Sequence, residues 1–137
     1  MNIVAGHGLL LKLPFADGGP CSYDRTFLVI NVDTISNKIR LLNVSSIKGK
    51  AHKLLYPSNI PLRKYKPPFK FSSFVKLDAL YEIDYFSELD TRILHNRMPY
   101  DSNELHNIIN KFNAYRISNN VSVVSYNQIQ VRTVNSI

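Results

Sequence analysis

The apolar positions of this chain fall into short runs and alternations that predict strands before anything else. Residues 8–15 (GLLLKLPF) read as a strand stopped at Pro14, which has no N–H to give to a ladder, and Gly18-Gly19-Pro20 then marks a loop. Thr26–Val32 is a continuous apolar and β-branched run, the signature of a buried strand. A polar turn over Asp33–Lys38 leads into a second such run, Ile39–Val44, so the first third of the chain predicts a β-meander. The clearest alternation lies between Ser73 and Ile83. Ser73, Val75, Leu77, Ala79, Tyr81 and Ile83 share one face, and Phe74, Lys76, Asp78, Leu80 and Glu82 share the other. The first set is expected to face the core. Lys76 and Asp78 then stand together on the opposite face, roughly 6.6 Å apart along an unbroken strand.

Helical spacing occurs at Leu105, Ile108, Ile109 and Phe112, and Asp101 with Glu104 three residues later supplies an N-cap pair, predicting a helix over about residues 102–116. The Pro- and Lys-rich stretch from Ser45 to Phe71, with Pro57, Pro61, Pro67 and Pro68, reads as a long loop or edge ribbon. Ser118–Ile137 is polar and β-prone and predicts an edge strand or a frayed tail. With 137 residues, 45% of them hydrophobic, the chain has material for the core of one domain and not of two. The expected organisation is a single mainly-β domain over residues 1–117, carrying a basic insertion at 46–71, followed by a polar extension over 118–137.

Charge adds a partner class to this picture. The formal net charge is +7, and its distribution is lopsided. Thr34–Leu77 holds ten cations, Lys38, Arg40, Lys48, Lys50, Lys53, Arg63, Lys64, Lys66, Lys70 and Lys76, and no acid, so the rest of the chain carries −3. An acid-free stretch of this length predicts a surface for a polyanion, because cations that meet phosphates release counterions; the plainer expectation is a solvated face. Tyr56, Tyr65, Phe69 and Phe71 are interleaved with the cations and either stack on unpaired bases or pack beneath the loop. The single cysteine, Cys21, cannot form an internal disulfide, which fits a reducing, cytoplasmic setting. The apolar runs fall short of the roughly 20 residues that span a bilayer, and no basic segment leads into a secretory core, so membrane and export roles are not expected.

Several chemistries lack their motifs. Cys21, His7, His52, His95 and His106 are scattered without the close pairings of a zinc site, so no metal is expected. Gly6-His7-Gly8 and Gly18-Gly19 lack the length and the lysine of a phosphate-binding loop, and there is no serine-nucleophile elbow. What remains is a set at strand ends: Arg25 before the first buried strand, Ser45 after the next, and Lys76 with Asp78. Singly, each has a plain reading, Arg25 as a loop cation, Ser45 as a turn former, and Lys76 and Asp78 as an ion pair of little stability.

Taken in order, these features resemble the MazF/PemK family of toxin endoribonucleases over roughly residues 6–115. The family's opening glycine and hydrophobic strand are matched by Gly8–Phe15, and its Arg-Pro before an apolar strand by Arg25-Thr26 and Phe27–Ile30. Its strand ending in Ile-Thr is similar to Leu42-Asn43-Val44-Ser45. Its serine and acid-bearing strand is similar to Ser73–Asp84, with Asp78 at the acid. Thr26 replaces the family proline, Ser45 the active-site threonine, and Ala79 a glutamine, and the basic insertion is long for the family.

The resemblance implies a small MazF/CcdB-like antiparallel β-barrel with a C-terminal helix. It also implies cleavage of single-stranded RNA by 2′-OH attack, without metal or other cofactor. Arg25 would then stabilise the phosphorane, Ser45 would hold a nonbridging oxygen, and Asp78 would act as base or orient one, beside the second cation Lys76. Lys48, Lys50, Lys53, Arg63, Lys64 and Tyr65 would line the RNA path. The implied partners are single-stranded RNA, a second copy in a homodimer, and a cognate antitoxin whose extended tail occupies the RNA groove. The competing expectation is a binding barrel without catalysis, either a general nucleic-acid binder or a gyrase inhibitor of the CcdB type. The latter acts through a Trp-Gly-Ile C-terminus, whereas this chain ends Val134-Asn-Ser-Ile137 and has no tryptophan.

Overall fold

Seven strands in one sheet organise the computed structural model, which describes residues 1–137. Strands β1 (Gly8–Leu11), β2 (Arg25–Asp33) and β3 (Lys38–Ser46) form the expected antiparallel meander. The β2–β3 turn is built by Asp33, whose carboxylate accepts from the backbone N–H groups of Ile35 and Ser36, while Asn37 takes the left-handed conformation that asparagine tolerates. Gly8 is closely packed: a Cβ there would lie 3.0 Å from Pro68 Cγ, tight enough that the proline would have to shift.

The strand expected as one piece over 73–83 is two, β5 (Ser73–Lys76) and β6 (Ala79–Asp84), preceded by the short edge strand β4 (Asn59–Pro61) on β5. Both β5 and β6 pair antiparallel with β3, at its two ends. Val44 faces Val75 and Leu41 faces Tyr81, so three steps along β3 correspond to six on the facing chain, and the extra residues are absorbed around Leu77-Asp78. This break overturns the expected assignment of faces. Val75 and Leu77 pack on one side of the sheet with Leu28, Leu42, Val44 and Leu80, whereas Ala79, Tyr81 and Ile83 pack on the other with Leu9, Leu11, Phe27, Val29, Ile39 and Leu41. Both faces are buried, so alternation here separates two half-cores and not core from solvent.

Helix α1 (Ser102–Ser118) covers the second half-core with Leu105, Ile108 and Phe112, and the Asp101 carboxylate caps it by accepting from the N–H groups of Asn103 and Glu104, both at 3.0 Å. Residues 118–137 continue into strand β7 (Ser122–Tyr126), parallel to β6, and then helix α2 (Gln128–Asn135), which places Val131 in the first half-core. The helix follows from a local signal passed over in the β-prone reading: Asn127 and Gln130 form a capping box. The pairings branch at β3 and end at β1, β4 and β7 without closing into a barrel. No helix is long and apolar enough to cross a membrane.

Asn135 ties this C-terminal unit down. It is buried, its Oδ1 accepts from Lys12 N–H at 2.8 Å, and its Nδ2 donates to the carbonyls of Lys12 and Val131, each at 2.9 Å. Truncation removes both partners of a backbone group that β1 no longer serves. Asn135→Ala is therefore expected to lower unfolding stability by roughly 1–3 kcal/mol, read from the urea midpoint at unchanged slope. A midpoint equal to that of the wild type would show that the clamp contributes nothing.

Candidate nucleic-acid interface

Arg25 opens β2, opposite Leu11 on β1, and is only 8% exposed. Its guanidinium has no carboxylate partner. Nη1 donates to the carbonyls of Leu13 and Pro14 at 3.3 and 3.4 Å, and Nη2 donates to the Tyr81 hydroxyl at 3.3 Å. The rings of Phe15, Phe27 and Tyr81 surround it at 4.7, 5.3 and 5.5 Å from Cζ. Carbonyl dipoles and aromatic faces offset part of the cost of burying this charge, but they do not neutralise it. A guanidinium carries five N–H groups, and with three engaged two remain for whatever enters from outside.

Arg25 lines a hollow of about 380 Å³ together with Asp17, Asn43, Lys76, Asp78, Tyr81 and Ser122. Lys76, the last residue of β5, stands at the level of Asn43 on the same face of the sheet and lines the hollow with Arg25. Burial first, then the charges of Lys53, Arg25 and Lys50, hold its ammonium below the usual lysine value of 10.5, against the pull of Asp78. Asp78 itself sits exposed in the break. Asn43 is buried and donates from Nδ2 to the Thr26 carbonyl at 3.0 Å. No buried side-chain polar atom lacks a partner, so its Oδ1, which has none within the protein, opens onto the hollow.

Lys76 and Asp78 also line a second hollow of about 490 Å³, shared with Lys53, Tyr56, Asn59, Tyr115 and Asn119. The two hollows share this cation and carboxylate in their walls and make up the candidate groove. The Tyr56 ring is 57% exposed beside it, free to receive a planar ligand.

Arg25, Lys76 and Asp78 thus converge, and Lys53 and Tyr56 join them from the insertion. Ser45 does not line the Arg25 hollow. It stands one residue past the Thr26–Val44 pair, at the level of Arg25 on the neighbouring strand, and its Oγ accepts from Lys50 Nζ at 3.1 Å. Lys48 is exposed in the turn after β3. Arg63, Lys64 and Tyr65 lie elsewhere: the Arg63 carbonyl accepts from Tyr100 Oη, Lys64 pairs with Asp101 at 3.8 Å, and Tyr65 packs against the second half-core. Phe69 is buried in that half-core, so of the four interleaved aromatics only Tyr56 and Phe71 present large exposed faces. The acid-free stretch is partly neutralised from outside itself, since Lys38 pairs with Asp84 at 2.8 Å and Arg40 with Glu82 at 2.9 Å.

Sequence reasoning missed Asn43, Tyr115 and Asn119. Asn43 leaves a readable trace, a lone amide inside the apolar run of β3, whereas Tyr115 and Asn119 reach the groove only through the packing of the end of α1 in the folded chain. No three His, Cys, Asp or Glu side chains form a group able to hold a metal ion. No protein-family model matches the chain, and no curated protein matches it.

The Lys76 environment makes a prediction with a definite sign. Because its folded-state pKa is depressed, the stability it contributes is present above the unfolded value of about 10.5 and is lost as the pH falls through the lower folded value. At neutral pH the buried ammonium is therefore a cost, and Lys76→Met is expected to raise the urea midpoint. Nitrogen NMR of Nζ should show Lys76 titrating below the usual lysine value, and Lys53→Gln should move that titration upward. A Lys76 resonance that ignores Lys53→Gln would remove the proposed repulsion.

Proposed function

We propose that this chain is an endoribonuclease that cleaves single-stranded RNA through attack by a ribose 2′-OH, with the scissile phosphate seated in the Arg25 hollow. The observation that carries this reading is a buried guanidinium with two uncommitted N–H groups, facing a lysine whose proton is destabilised. Arg25 holds two nonbridging oxygens by its planar fork and stabilises the charge of the phosphorane. Asp78 takes the proton of the 2′-OH, whose oxygen bonds to phosphorus, and Asn43 Oδ1 orients that hydroxyl. As the bond from phosphorus to the 5′-oxygen breaks, Lys76 delivers a proton to the departing oxygen; a depressed pKa makes its ammonium the better acid. The products are a 2′,3′-cyclic phosphate and a 5′-OH. No metal or other cofactor takes part.

The second hollow accepts the neighbouring nucleotide, with its base against Tyr56 and its phosphate near Lys53. Ser45, which the family resemblance places on a nonbridging oxygen, acts in this scheme by positioning Lys50 at the rim. The fold belongs to this reading as an opened variant of the MazF/CcdB-type barrel, supported by the β1–β2–β3 meander, the bent β5–β6 pair on β3 and the helix that follows. A homodimer in the cytoplasm, neutralised by an antitoxin tail lying in the groove, completes the proposal.

The test is cleavage of unstructured RNA in EDTA with mapping of the new ends. Cyclic phosphate and 5′-OH termini are expected, and replacing the 2′-OH at the cut site by hydrogen should stop the reaction. Arg25→Lys keeps the charge and loses the fork, so the single-turnover rate should drop by about 10²- to 10³-fold with circular dichroism unchanged. RNA that is bound but never cut would leave a binding module without catalysis and defeat the proposal.

A further inference from the structure

A further hollow lies behind the groove. It measures about 520 Å³, and its wall includes Thr26, Ser46, Lys66, Lys70, Phe71 and His95. Thr26 follows Arg25 and Ser46 follows Ser45, and successive residues of a strand point to opposite faces. The rear hollow therefore opens on the reverse face of the same end of the sheet.

Its chemistry is that of a nucleotide site. No acid lines it, and neither Lys66 nor Lys70 is in an ion pair. The Phe71 ring is 61% exposed with Lys70 Nζ 5.5 Å from its centroid, an aromatic face and a cation in reach of one base and its phosphate. The wall is also held in a costly conformation. His95, Asn96 and Arg97 all have left-handed backbone, at φ 52°, 52° and 64°, which non-glycine residues adopt only where surrounding contacts enforce it. Here the contacts are Leu94 N–H to the Gly8 carbonyl at 2.8 Å and the His7 ring. Nδ1 of His7 accepts from Val4 N–H, so its proton is on Nε2, which donates to the Arg97 carbonyl at 3.1 Å.

We propose that this rear hollow is a second binding site for single-stranded RNA, which takes nucleotides outside the cleaved linkage as the strand bends around the end of β2 and β3. The proposal rests on reading the Arg25 hollow as the place of cleavage. It assigns Lys66 and Lys70 to phosphate and Phe71 to a base.

Binding of RNA made uncleavable by 2′-deoxy substitution tests it, using fluorescence anisotropy with oligomers of about 4 and about 12 nucleotides. The Lys66→Gln/Lys70→Gln double variant and, separately, Phe71→Ala should each weaken the longer oligomer by about tenfold and leave the shorter one unchanged. The double variant should also reduce the salt dependence of the longer oligomer by the release of between one and two counterions. The single-turnover cleavage rate at saturating RNA should not change. Equal affinity of wild type and both variants for the longer oligomer would overturn the rear site while leaving the cleavage reading standing. Weakened binding by a protein that cuts no RNA would instead support the rear site and refute the cleavage reading.

Discussion

The Arg25 guanidinium is buried among carbonyl oxygens, the Tyr81 hydroxyl and aromatic rings, with no carboxylate partner, and that arrangement constrains everything around it. A charge held this way is stabilised by dipoles and π faces yet retains its field, because nothing of opposite charge cancels it. The cost must be met by the fold. Tyr81 and Phe27 belong to the first half-core, and Leu13 and Pro14 follow β1, so the Arg25 side chain is positioned by the most buried part of the sheet. A site of this kind is preorganised: its geometry is set by packing before any anion arrives.

The break between β5 and β6 is the second constraint. Had the strand run on, Lys76 and Asp78 would stand on one face of a regular ladder with their surroundings repeated along it. Instead pairing with β3 stops after Val75, the chain leaves the ladder through buried Leu77 and exposed Asp78, and pairing resumes three residues out of register. The break leaves a carboxylate exposed between two hollows and leaves the lysine amine partly desolvated among Arg25, Lys50 and Lys53. The irregularity thus produces both the chamber wall and the electrostatic environment of the groove.

Folding also sorts the cations. Lys38 and Arg40 sit opposite Asp84 and Glu82 across the β3–β6 ladder and are neutralised there, which serves cross-strand pairing and removes them from any anion surface. Lys50, Lys53 and Lys76 remain unpaired near the groove, and Lys66 and Lys70 remain unpaired behind it. The basic stretch is therefore several patches, divided by the sheet itself.

Local pattern determined the meander and the capped helix after Asp101, because each rests on interactions within a few residues, pleat alternation and a side-chain cap; the first strand instead ends at Leu11, short of Pro14, where the distant Asn135 takes over the Lys12 backbone groups. Arg25, Lys76 and Asp78 were legible as candidates because they stand at strand ends in an ordered pattern. Their convergence, the exclusion of Ser45 from their hollow and the inclusion of Asn43 and Tyr115 were not legible. Those depend on register and on which element covers which face, and both are settled by long-range packing. The alternation over Ser73–Ile83 shows the limit most clearly: its period is real, but a three-residue shift against β3, invisible in local spacing, turned half of it to the other side of the sheet.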